Sequence, residues 1–279
     1  LALAGRSSDY IRHAEKSLTR FNAEHGSAFA TEITADHIKD YLRQLPFQPI
    51  TKRHERSYLT SAFKWFALQG WVSRNPVGLV PVPTIKPEEP GILTVEETEA
   101  LFRANERVDP EICGLLALGA FAGMRSSAIE RLRYENIDFK NRGILIESQI
   151  AKTGRRHYVE GLPDNLWAWL ERTPETAFDL TPRQIAARRQ AAYERAGLLV
   201  TKAAARRERI PQKAPPKNCL RHSFVSYHVA LHRDPGKTAL IVSHRSQDIL
   251  WQHYLGVANR EDAEQYFAMK PSLPAPQCP

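Results

Sequence analysis

Two arginines, a lysine, a histidine and a tyrosine stand in this chain at positions that suit phosphoryl chemistry. Arg221-His222 and Tyr254-Leu255 lie near the C-terminus, with His244 between them in Val-Ser-His-Arg-Ser. Gly123-Met124-Arg125 and Lys152 lie upstream. Two guanidiniums can clamp the non-bridging oxygens of a phosphate bidentately. A lysine can protonate a leaving 5′-oxygen, and a tyrosine can act as the covalent nucleophile. Together the set suits cleavage of a DNA phosphodiester without a metal. Singly, none of these residues is informative. An arginine after an apolar helix is commonly a salt-bridge residue, basic hairpin turns are common on any surface, and a helical tyrosine more often packs than attacks.

The elements that must position these groups are mostly helical. Tyr10, Ala14, Leu18 and Phe21 recur at helical spacing over residues 9–23. Thr34 is a candidate N-cap for a second helix with Ile38, Tyr41, Leu42 and Leu45 on its apolar stripe. A third helix is expected from about Ile50 to Gln69, stopped by Gly70, with Tyr58, Leu59, Ala62, Phe63, Trp65 and Phe66 read as core. Asn75-Pro76 then breaks helix geometry, and Pro81, Pro83, Pro87 and Pro90 read as an extended linker that marks a domain boundary. Thr94 with Glu97 forms a capping box that starts the second domain. Residues 111–124 predict a buried apolar helix and residues 126–133 a further helix. Ile144-Leu145-Ile146 and His157-Tyr158-Val159 predict a β-hairpin around the basic turn Ala151-Lys152-Thr153-Gly154-Arg155-Arg156. From Asn165 onward the pattern is helical again, interrupted near residues 211–216.

Composition narrows the partner. The 279 residues carry a formal charge of +8, with a pI near 9.5, which favours a polyanion. Eight basic residues fall between Arg183 and Arg209 (Arg183, Arg188, Arg189, Arg195, Lys202, Arg206, Arg207 and Arg209) against Glu194 and Glu208. They read either as a solvated face or as a phosphate-facing strip. Cys113, Cys219 and Cys278 are odd in number and lack metal-ligand spacing, which predicts free thiols in a reducing compartment and no metal site. The longest apolar run, residues 112–124, is too short to span a bilayer. No signal peptide is evident, so a cytoplasmic, nucleoid-associated protein is expected. The first residue is not methionine, which predicts further residues upstream.

Five segments in order resemble the tyrosine recombinases, the phage integrase family. They are Gly123-Met124-Arg125 leading through residues 126–136 to Ile137-Asp138; Lys152-Thr153-Gly154-Arg155-Arg156-His157-Tyr158-Val159; Asn218-Cys219-Leu220-Arg221-His222-Ser223-Phe224; His244; and Tyr254. Residues 221 and 244 stand 23 apart and 244 and 254 ten apart, closely similar to the family's intervals. The resemblance spans nearly the whole chain. It implies a mainly α fold with a small β-hairpin or sheet (α+β): a helical core-binding domain over residues 1–80, a linker over 81–91, and a catalytic domain over 92–279 ending in a C-terminal helix.

The resemblance also implies roles. Tyr254 would attack the scissile phosphorus to leave a 3′-phosphotyrosyl link, a step that conserves bond energy and needs no cofactor. Arg125 and Arg221 would stabilise charge on the phosphorane. His244 would donate to the same phosphate or help deprotonate Tyr254, and Lys152 would be the general acid. Clustered positive charge is expected to favour the Tyr254 phenolate. Three positions depart from the family. Asn218 stands where histidine or lysine is usual and cannot shuttle a proton. Ala128 replaces an acidic residue, and Glu130 lies about 200° round the helix from it. Ser243 replaces a common glycine, a change expected to matter little. His222, beside Arg221, is expected to pack or to support the site from behind, and His253 to point about 100° from Tyr254; neither is given a direct role.

Double-stranded DNA is the expected partner, with Lys52, Arg53, Arg56, Arg155 and Arg156 as candidate contacts. The C-terminal helix, with Ala263, Tyr266 and Phe267 on one side, is read either as packing on its own domain or as docking on a neighbouring protomer in a homo-tetramer. Accessory directionality proteins are possible partners. Two other functions fit the residues: a type IB topoisomerase-like strand-relaxing enzyme, and a non-catalytic DNA-binding protein derived from a recombinase.

Overall fold

Ser7 Oγ accepts the Tyr10 N–H and opens helix α1 (Ser8–His25). Thr34 caps α2 (Ala35–Gln44), with His37 Nδ1 accepting the Thr34 N–H in return. Pro49, whose fixed φ suits a first helical turn, begins α3 (Pro49–Leu68). The computed structural model describes residues 5–85, 89–150, 154, 156–243 and 247–272. The chain divides into two units, Leu1–Pro87 and Glu88–Pro279.

In the first unit Phe21, Ile38, Tyr41, Leu59 and Phe63 form the core between the three helices. Leu59 and Phe63 are one turn apart on α3 and both point inward, while Trp65, two residues further round, is 49% exposed. It meets the exposed Trp71 edge to face, ring centroids 5.0 Å apart. The α3 aromatics are therefore only partly core, because residues two apart on a helix are rotated by about 200°. The buried Glu55 carboxylate is satisfied rather than stranded: Ser17 Oγ donates at 2.7 Å, and Arg20 pairs with it at 2.9 Å.

The second unit contains α4 (Val95–Asn105), α5 (Pro110–Ala122), α6 (Ser126–Ile129), α7 (Asp164–Leu170), α8 (Pro182–Arg195), α9 (Lys202–Glu208), α10 (Cys219–His232), α11 (Pro235–Val242), α12 (Gln247–Tyr254) and α13 (Arg260–Ala268). The expected Thr94–Glu97 capping box opens α4. Helix α5 is apolar on every side, with Ile112, Leu116 and Phe121 fully enclosed, so it can only be central. It packs against α7, α8 and α10. Strands β1 (Ile137–Asp138), β2 (Gly143–Ile146) and β3 (His157–Val159) form an antiparallel sheet in that order, with Ile144 opposite Val159 and Ile146 opposite His157. The fold is thus mainly α with one small sheet, as expected.

One expectation needs correction. Residues 126–133 were expected to be one helix, but α6 ends at Ile129. Leu132 turns into the core at 1% exposure, and the Arg133 guanidinium donates to the Phe178 carbonyl at 3.0 Å, both of which pull the backbone off the helix axis. The C-terminal helix, read either as packing on its own domain or as docking on a neighbour, packs on its own unit within the single chain. Ala263 and Tyr266 of α13 are fully buried, Tyr266 Oη donates to Ala120 O at 2.7 Å, and its ring stacks on Tyr227. Helix exchange through α13 would have to remove that whole apolar face from its core.

His228 on α10 is 2% exposed, and its Nδ1 lies 2.7 Å from Thr238 Oγ1. Burial, with lesser contributions from His232 and Lys237, lowers its pKa to about 3. The unfolded chain binds this proton near pH 6.5 and the folded chain does not, so stability is present above pH 6.5 and is lost as pH falls toward 3. Urea melts between pH 7 and 4 are expected to show a loss approaching about 1.4 kcal/mol per pH unit from this group. The slope should be shallower in His228→Gln.

Candidate active site

The arrangement starts from how α5 ends. Gly123 adopts φ +61°, its N–H bonds Leu118 O, and the Met124 N–H bonds the same carbonyl at 3.0 Å. This left-handed cap turns the chain so that Arg125 stands at the head of α6. Only glycine fits here. A Cβ would lie 2.5 Å from the Phe224 ring and 2.8 Å from Val242 Cγ1, and the positive φ adds its own cost. Gly123→Ala is expected to destabilise the fold by about 3 kcal/mol, the sum of left-handed strain and overpacking. A urea melt unchanged to within about 1 kcal/mol would contradict this reading of the turn.

Arg221 lies in the first turn of α10 and reaches back to the same corner. Its guanidinium donates to Gly123 O through Nη1, and to Val242 O at 2.8 Å through Nη2. Two of five N–H donors are thus committed to backbone, which leaves three for a ligand. Burial first, and the charge of Arg125 second, lower the Arg221 pKa to about 10, so the group is still charged at neutral pH. Burial also lowers the Arg125 pKa. Among the described residues no carboxylate pairs with either guanidinium. Two desolvated cations held together without a counter-charge form a site that an anion would stabilise. The cleft before them is lined by Gly123, Arg125, Ile146, His157, Arg221 and Ser243.

Tyr254 ends α12, and its side chain is 6% exposed. Its Oη lies 2.7 Å from His222 Nδ1, and the two rings stack with centroids 5.7 Å apart. Burial raises the Tyr254 pKa, and Arg221 and then Arg125 pull it back only in part. Positive charge thus favours the phenolate, as expected, but burial outweighs it in the free protein. Burial, then Arg221, lowers the His222 pKa, which keeps its imidazole neutral at pH 7.

The structure brings Arg125, Arg221 and Tyr254 into one electrostatic neighbourhood. Lys152, Arg155 and His244 lie outside the described residues. Asn218 sits directly before α10 with φ +58°, a conformation asparagine tolerates, and its carbonyl accepts the His222 N–H at 3.0 Å. It lines a second depression together with Arg125, Arg221, Lys217 and Arg189. Ser243 proves less neutral than expected. It adopts φ +50°, where the family's glycine would be unstrained, and its Oγ lies 2.6 Å from His157 Nε2, tying α11 to β3.

Of the candidate DNA contacts, Arg56 is occupied by the carbonyls of Val77 and Val80, at 2.8–3.0 Å, and Lys52 Nζ donates to Arg43 O at 2.9 Å. Arg53 and Arg156 are exposed. Within the basic strip, Arg188 pairs with Glu111 and Asp109, and Arg195 bonds Asn105, so these two serve their own unit. Lys202, Arg206, Arg207 and Arg209 remain exposed. His222 is the site residue that the sequence under-read. Its place beside Arg221 was visible, but the crossing of α12 over that face of α10 was not. Among the described residues no group of three or more His, Cys, Asp or Glu could hold a metal ion, and no helix is long and apolar enough to cross a membrane.

The resemblance to the tyrosine recombinases is borne out in fold and in sequence. A lambda integrase dimer bound to a COC′ core site superposes with a TM-score of 0.70 at 15% identity, covering 91% of this chain and 92% of that one. A lambda integrase tetramer bound to a Holliday junction gives 0.69 at 15% identity, over 90% of this chain and 73% of that one. The Tn1549 transposon integrase in complex with transposon right-end DNA gives 0.62 at 15% identity, over 93% and 92%. In sequence, 136 residues are 26% identical to the tyrosine recombinase XerC of Oceanobacillus iheyensis, covering 47% of this chain and 45% of that protein. The match thus spans about half the length of that relative. No family model matches the chain.

Proposed function

For a chain built on the tyrosine recombinase fold, we propose a site-specific DNA strand transferase that cleaves and rejoins DNA through a 3′-phosphotyrosyl intermediate on Tyr254. The observation that carries this reading is a buried tyrosine beside two desolvated arginines that pair with no carboxylate among the described residues. Arg221, held by two carbonyls, and Arg125, held by the Gly123 turn, would grip the scissile phosphate and stabilise the charge that builds on it. Tyr254 Oη would form the bond to phosphorus as the 5′-oxygen leaves. Lys152 is assigned as the acid for that oxygen, and His244 as a phosphate donor, on the resemblance alone. Asn218 is assigned as an uncharged hydrogen-bonding residue.

The helical first unit would be a core-binding domain, residues 81–91 a linker, and the second unit the catalytic domain. Arg53 and Arg156, exposed and unengaged in the bonds given above, are better candidates for phosphate contacts than Arg56. The working form would be a tetramer on two duplexes, a reading that the lambda integrase tetramer bound to a Holliday junction supports. Accessory directionality proteins would act on that assembly.

Incubation with a nicked suicide duplex, built from the repeats flanking the gene, tests the proposal. A denaturation-resistant protein–DNA adduct is the expected result. Binding without any adduct would favour a non-catalytic DNA-binding protein, and relaxation of supercoils without sequence preference would favour a topoisomerase.

A further inference from the structure

We propose that His222 is the general base that takes the proton from Tyr254, filling the proton-transfer role that Asn218 cannot. The inference rests on the phosphotyrosyl reading above and adds a residue to it. A base must lie within about 2.6–3.2 Å of the oxygen it deprotonates, and His222 Nδ1 lies 2.7 Å from Tyr254 Oη. The stacked rings fix that approach. His222 is carried by α10 one residue after Arg221, so base and phosphate clamp share one rigid element. Tyr254 in turn needs a base, since burial holds its phenol neutral despite the arginines.

The proton balance closes within the site. The Tyr254 O–H bond breaks and its proton passes to His222 Nδ1. Oη then bonds phosphorus as the P–O5′ bond breaks, and the 5′-oxygen takes a proton from the acid assigned above. Rejoining reverses each transfer, with imidazolium returning its proton to the departing phenolate.

The neighbouring charge makes this base conditional on substrate. In the free protein burial first, and the Arg221 guanidinium second, oppose formation of an imidazolium at His222. A phosphate anion bound to Arg221 offsets the second of these, so His222 becomes more basic when DNA fills the site. The nucleophile would stay protonated until then.

Two measurements on the full chain test the proposal. Nitrogen-15 NMR of the DNA-free protein should show His222 in the Nε2–H tautomer, with Nδ1 accepting from Tyr254; an Nδ1–H tautomer would overturn the assignment. Single-turnover adduct formation on the nicked duplex should then fall about 10²-fold in His222→Phe, which keeps the ring stack. It should fall similarly in His222→Asn, which keeps a polar partner near the Nδ1 position but cannot accept a proton. DNA affinity should not change, and added imidazole should restore part of the rate in His222→Ala. If wild type forms the adduct and His222→Asn matches its rate, the base assignment fails while the phosphotyrosyl reading stands. If wild type binds the duplex and forms no adduct, the functional reading fails and the base assignment falls with it.

Discussion

Tyr254→Phe is expected to abolish the covalent adduct completely while leaving DNA affinity within about twofold of wild type, since phosphate contacts rather than one phenol carry affinity. The substitution removes a single oxygen from a ring that is 6% exposed and otherwise unchanged in shape. The lost hydrogen bond to His222 costs about 1 kcal/mol of stability, too little to unfold the unit. Catalysis, by contrast, loses the oxygen proposed above to form the bond to phosphorus. A gel under denaturing conditions, with binding measured in parallel, checks the expectation. A persistent adduct in Tyr254→Phe would move the nucleophile elsewhere in the chain.

Arg221→Lys is expected to lower the adduct rate by about 10²–10³-fold, the loss typical of a preorganised charge stabiliser. Charge is conserved, so the effect isolates geometry. The guanidinium spans Gly123 O and Val242 O, and among the described residues its other three donors are uncommitted. A lysine ammonium has three donors at one point and cannot hold both carbonyls and a phosphate together. Stability should fall as well, by about 2–3 kcal/mol, because two charge-assisted bonds to partly buried carbonyls are lost. The two readouts separate the roles. A stability loss with an unchanged adduct rate would make Arg221 a strut between α5 and α11 and no part of the phosphate clamp.

Sequence spacing made the local elements legible. The Thr94–Glu97 capping box, the wholly apolar α5 and the β2–β3 pairing each follow from interactions within a few residues, or from a periodicity that admits one solution. The order of Arg125, Arg221 and Tyr254 pointed to the chemistry for the same reason. Elements that depend on what another segment offers were misread. Residues 126–133 carry helical potential throughout, yet α6 stops at Ile129, where the core claims Leu132 and Phe178 O claims Arg133. Trp65 has a core-forming side chain but falls on the wrong face of α3.

The functional groups divide along the same line. The sequence by itself determined that Arg125 follows an apolar helix and a glycine, and that Asn218 cannot move a proton, because residue type alone sets those limits. Tertiary structure decided that Arg56 is spent on Val77 and Val80, that Ser243 holds His157, and that α13 buries Tyr266 in its own unit. It also decided that His222 meets the Tyr254 hydroxyl. Partners 32 residues apart on separate helices are brought together only by how α10 and α12 pack, and no local pattern encodes that distance.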